Sequence, residues 1–106
     1  MTAIQVEPIF ACSSQRYLAL VHELLMRYRR EATAIALELD ATTRDLAALE
    51  DALRRPEVER SRELLLEHDR VSERIELLER DLADAREAAR GAQAELEDIE
   101  AVLAID

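Results

Sequence analysis

Residues 49–64 read LEDALRRPEVERSREL, and the fold turns on what happens at Pro56. Upstream, Leu18, Val21, Leu25, Tyr28, Ala32, Ile35, Leu39, Thr42, Leu46, Leu49 and Leu53 follow one another at alternating steps of three and four residues. Downstream, the same spacing runs through Leu64, His68, Val71, Ile75, Leu78, Leu82, Ala85, Ala89, Ala92, Leu96, Ile99 and Leu103. Each run is a heptad seam, the a and d positions of a coiled coil. The two seams are out of phase by one residue, so the helix is interrupted between them. Pro56 lacks an amide donor and disfavours helix at Arg55, yet suits the first position of a new helix. Arg54 and Arg55 complement the negative end of a helix that stops there, and Glu57 and Glu59 the positive end of one that restarts.

Folding back at Pro56 gives an antiparallel hairpin in which a positions of one helix face d positions of the other. One register serves every layer: Leu39 opposite Val71, Ile35 opposite Ile75, Ala32 opposite Leu78, Tyr28 opposite Leu82, Leu25 opposite Ala85, Val21 opposite Ala89 and Leu18 opposite Ala92. Bulky residues then meet the alanines, as close packing requires. In a parallel dimer of the second helix, Ala85, Ala89 and Ala92 would instead meet themselves. At about 0.8 kcal/mol per buried methylene, those thin layers forfeit several kcal/mol, which favours the hairpin. Flanking charges do not settle the choice between the two. Glu38 and Arg74 attract across the hairpin, while Asp45 and Glu67 repel.

Composition points the same way. With one glycine, two prolines, no tryptophan and 36% charged residues in 106, the chain has few turns and few large side chains for a globular core. The expectation is therefore an all-α protein, an antiparallel two-helix coiled-coil hairpin dimerising into a four-helix bundle. Residues 1–12 (MTAIQVEPIFAC) read as an extended N-terminal arm, because Ile4 and Val6 alternate with polar residues before Pro8. The hairpin follows over 13–106, with helix one at about 14–54, a turn at about 55–56 and helix two at about 57–104.

The formal charge of −10 is unevenly spread. Residues 1–62 hold ten acids and nine arginines, residues 63–106 fourteen acids and five arginines. Such a field repels phosphate backbones and anionic lipid, so neither nucleic acid nor membrane is an expected partner. Cys12 is alone, which leaves no internal disulfide and suits a reducing, cytoplasmic setting.

Candidate chemistry is sparse. His22 sits in HELLM, without the second histidine of a zinc-protease helix, and His68 occupies an a position as a polar register-setting layer opposite Thr42. Cys12, Ser13 and Ser14 lack a base or glycine-rich turn and read as a helix start. The chain is therefore expected to be no enzyme, with no catalytic residue, no metal ligand and no cofactor.

What the seams leave over carries the functional reading. Tyr17, Leu20, Leu24, Met26, Leu37, Leu65, Leu66 and Leu77 lie outside the hairpin seam and call for a second partner, with Ile4, Val6 and Phe10 of the arm beside them. Glu95, Glu97, Asp98 and Glu100 form an acidic tip without arginine. These features suggest a protein–protein interaction module, an assembly adaptor or export-type chaperone that binds another helical protein. A homodimeric coiled-coil scaffold or spacer is the alternative from the structural class. A third reading is an acidic inhibitor that mimics nucleic acid and captures a basic enzyme.

Overall fold

The structure, a computed structural model, describes the backbone of residues 2–55 and 62–105 and the side chains of 15–55 and 62–104. It consists of two helices, α1 (Thr2–Arg54) and α2 (Arg62–Ile105), packed against each other as an antiparallel hairpin. Ala, Leu, Glu and Arg, which lose little side-chain freedom in a helix, dominate both. Thr42 and Thr43, less suited to a helix interior, donate their hydroxyls to the carbonyls of Glu38 and Leu39 at 2.7 Å each. With no glycine to close it, α1 ends on a tightened turn, the Arg55 N–H donating to the Ala52 carbonyl at 3.3 Å. Arg54 lies in its last turn and Glu63 in the first turn of α2, each complementing the helix dipole.

Two expectations meet the edges of the described residues. The turn at Pro56 and the restart at 57 lie outside them. At the other end the backbone is helical from Thr2, where the sequence suggests an extended arm over 1–12. A short alternation around Ile4 and Val6 is a weak instruction beside a growing helix. Each residue added to α1 gains a backbone bond, whereas an extended segment with no strand alongside leaves its polar groups to solvent. The side chains of Ile4, Val6 and Phe10 are outside the described residues.

The chain divides into two compact units, one of residues 1–30 with 85–106 and one of 31–84. In the first, Val21, Leu25, Ala92 and Leu96 form the buried core, with Leu18, Tyr28, Ala89 and Ile99 packed around it. Leu25 is 2% exposed. Burying such a leucine is worth about 1.5–3 kcal/mol. In the second, Leu78 and Leu82 are the most buried apolar residues.

The hairpin is in register one heptad further along α2 than the sequence suggests. The Glu38–Arg74 attraction expected from the sequence is present at 2.6 Å, and it and the Tyr17–Glu95 bond are flanking pairs that either register allows. Two contacts between the helices separate the registers. Arg29 bonds to Gln93 at 2.9 Å, beyond its reach in the expected setting, and His68 meets Glu50 where the sequence sets it opposite Thr42. The composition of the core agrees, since Leu25 clusters with Ala92 and Val21 with Leu96. Large-against-small packing survives where Leu25 meets Ala92 and Tyr28 meets Ala89, but Val21 with Leu96 and Leu18 with Ile99 are layers of two large residues.

His68 moves with the register. Its Nε2 lies 3.3 Å from Glu50 Oε1, at the margin of the seam and two turns from Thr42 along α1. Glu67 receives a hydrogen bond from Arg70 at 3.3 Å. On the outer faces Asp40 with Arg44 and Asp51 with Arg55 make the expected pairs four residues apart, at 2.7 and 3.2 Å.

Candidate functional site: an apolar face on the first unit

Residues directly preceding successive seam positions line one side of the hairpin. On α1 this side presents Tyr17, Leu20 and Leu24, spaced by three and four so that they stack along one face. They are 48%, 58% and 39% exposed. On α2 the same side presents Ala88, Gly91, Glu95, Asp98 and Val102 at the same spacing, with Val102 also largely exposed. The seam just beneath is closed by Val21, Leu25, Ala92 and Leu96, so the stripe has no place in its own core. Three large side chains thus meet water on a helix whose opposite side is already packed.

The polar groups around the stripe are held. The Tyr17 hydroxyl donates to Glu95 Oε1, spanning the two helices. That hydrogen bond, then the negative charge of the carboxylate and then a small loss of solvent raise the Tyr17 phenol above its ordinary value. Tyr17 is therefore a neutral donor through the physiological range. On the far side of the hairpin Arg29 donates to Gln93, and the Gln93 amide donates to Glu97 at 2.9 Å. These residues border an open groove of about 290 Å³ with Ala89, Arg90 and Ala94. In the second unit the Glu38 carboxylate, by hydrogen bond and by charge, raises Arg74 and keeps it cationic.

Gly91, the only glycine of the chain, stands in the middle of the α2 stripe. A Cβ built on it would have no neighbour within 4 Å. Nothing in its own chain needs the missing side chain.

The other residues singled out in the sequence are exposed but not assembled with this stripe. Met26 follows an a position and belongs to a different side of α1. Leu37, Leu65, Leu66 and Leu77 are exposed on the second unit. Leu37 and Leu66 lie on the backs of their helices, away from the seam, so the four form no common face. Of the acidic group, Glu95 and Glu97 hold the bonds just described, while Asp98 and Glu100 are exposed on the same helix. Val102 went unnoticed in the sequence because it adjoins the seam residue Leu103. Val102 directly precedes Leu103 as Tyr17 precedes Leu18 and Leu24 precedes Leu25, and that equivalence is the available signal.

Among the described residues no three His, Cys, Asp or Glu side chains gather as ligands for a metal ion. Within the same residues no helix is long and apolar enough to cross a membrane. No protein-family model, curated protein or solved structure matches the chain.

Proposed function

We propose that this chain is a non-enzymatic protein–protein interaction module, an assembly adaptor or export-type chaperone of the cytoplasm, which receives an amphipathic helix on the face of Tyr17, Leu20 and Leu24. The observation that carries the reading is that stripe: three large apolar side chains at helical spacing, exposed on a hairpin whose core lies on another side. Helix-in-groove recognition uses this arrangement, with anchors at steps of three and four residues on a preformed support. The Tyr17–Glu95 bond ties α1 to α2 beside the anchors, so little side-chain freedom remains to be lost at Tyr17 on binding. Cys12, the single cysteine, supports a reducing compartment.

The test is affinity recovery with the tagged full-length chain and with a Leu20→Glu, Leu24→Glu double variant, under conditions where both remain helical by circular dichroism. The expected result is a helical protein, or a second copy of the chain, held by the wild type and lost with the double variant. Identical recovery by both would contradict the proposed face.

A further inference from the structure

The stripe on the first unit is flanked by charge of opposite sign on its two helices. Beside the stripe, between residues 15 and 30, α1 carries Arg16, Arg27 and Arg30 against the single acid Glu23. Between 85 and 104, α2 carries Glu87, Glu95 and Asp98 on that side, while Arg86, Arg90 and Glu97 lie toward the other. A surface that is basic along one edge and acidic along the other is complementary to itself when turned half a revolution about an axis along the helices. In that arrangement α1 of each copy lies on α2 of the other. Rotation about an axis across the helices would instead set arginines on arginines and carboxylates on carboxylates, and is disfavoured by its charges.

Gly91 adds a separate observation. Glycine inside a helix is less favourable than alanine, and here a Cβ would touch nothing in the hairpin. The isolated chain therefore gains no packing from glycine at this position, while a helix laid on the face approaches more closely over Ala88 and Gly91 than over larger residues.

Resting on the docking reading above, we infer that the occupant of this face is a second copy of the chain, related by a two-fold axis along the helices. Tyr17, Leu20 and Leu24 of each copy pack over Ala88 and Gly91 of the other, and the hairpins form a four-helix bundle. The basic edge of each α1 lies along the acidic edge of the opposing α2. The assembly is closed, because the same patch is used twice.

Sedimentation equilibrium of the full chain tests this, with Leu24→Glu, Gly91→Leu and Arg27→Glu as variants and circular dichroism as the control for folding. Leu24, Gly91 and Arg27 are all exposed, so the hairpin itself is expected to persist. The wild type is expected to be a dimer at micromolar concentration. Leu24→Glu and Gly91→Leu should raise its dissociation constant by about tenfold or more, and Arg27→Glu by a smaller factor that shrinks with added salt. A dimer indifferent to Gly91→Leu and Leu24→Glu would overturn the arrangement. So would a wild type that stays monomeric at the highest soluble concentration. If that monomer nonetheless captured a foreign helix, and lost it on Leu20→Glu, Leu24→Glu substitution, the docking reading would stand without the second copy.

Discussion

Gly91 and Tyr17 show how much of the surface is decided by single side chains. Because a Cβ at position 91 meets open space, Gly91→Ala removes the entropic cost of glycine without strain. It should stabilise the isolated hairpin by about 0.5–1 kcal/mol. Urea denaturation in a Leu24→Glu background, where self-association is removed, measures that change, and a loss of stability would show a neighbour that the structure does not contain. The Tyr17–Glu95 bond makes a pH-dependent statement. It holds the phenol protonated, so the folded-state pKa lies above that of the unfolded chain. The stabilisation is complete below the ordinary tyrosine value of about 10 and disappears as the pH rises through the raised value. Tyrosinate absorbance in a Tyr28→Phe background should record a Tyr17 titration that moves down on Glu95→Gln substitution. No movement would mean that the two side chains are not partnered in solution.

At the scale of the helices, what holds the hairpin together differs from what sets its register. The core is apolar: Leu25→Ala empties a site that is 2% exposed and should cost about 2–5 kcal/mol in chemical denaturation. The Glu38–Arg74 pair, half exposed on both sides, belongs to a class worth about 0–1 kcal/mol. A double-mutant cycle on Glu38 and Arg74 should therefore find a coupling well below the cost of Leu25→Ala, and a coupling of comparable size would revise this division. The same division explains what the sequence made legible. Two unbroken seams and a proline between them specify two helices folded face to face, because periodicity is repeated in every layer. Register is specified far more weakly. Sliding α2 by a heptad returns every a position to a d position, and leucines, isoleucines and alanines fit tolerably in either setting. Flanking residues do not decide it, because Glu38 with Arg74 and Tyr17 with Glu95 can pair in either setting. At the N-terminus the alternation spans only four residues, too short a pattern to specify an extended arm beside a helix. The apolar stripe was legible as residues left out of the seam. That Tyr17, Leu20 and Leu24 form one face while Met26, Leu37, Leu65, Leu66 and Leu77 do not depends on which side of each helix is packed.

For the molecule as a whole, the hairpin comes first and the proposed assembly second. Val21, Leu25, Ala92 and Leu96 are brought together within one chain, so helicity does not require a second copy. Leu24→Glu should remain helical at low micromolar concentration, with a thermal midpoint independent of concentration; collapse of its circular dichroism signal would show that the helices depend on association. The apolar face depends on the observed register, because another register would place Gly91 beside different residues of α1. Disulfide trapping measures this directly. In a Cys12→Ser background, Val21→Cys with Leu96→Cys places the two thiols in the same core layer, whereas Val21→Cys with Ala89→Cys separates them by a heptad, about 10 Å along the axis. Mild oxidation should close an intramolecular disulfide in the first chain and not in the second. Closure in the second alone would restore the register expected from the sequence and contradict the structure, and closure in neither would remove the hairpin.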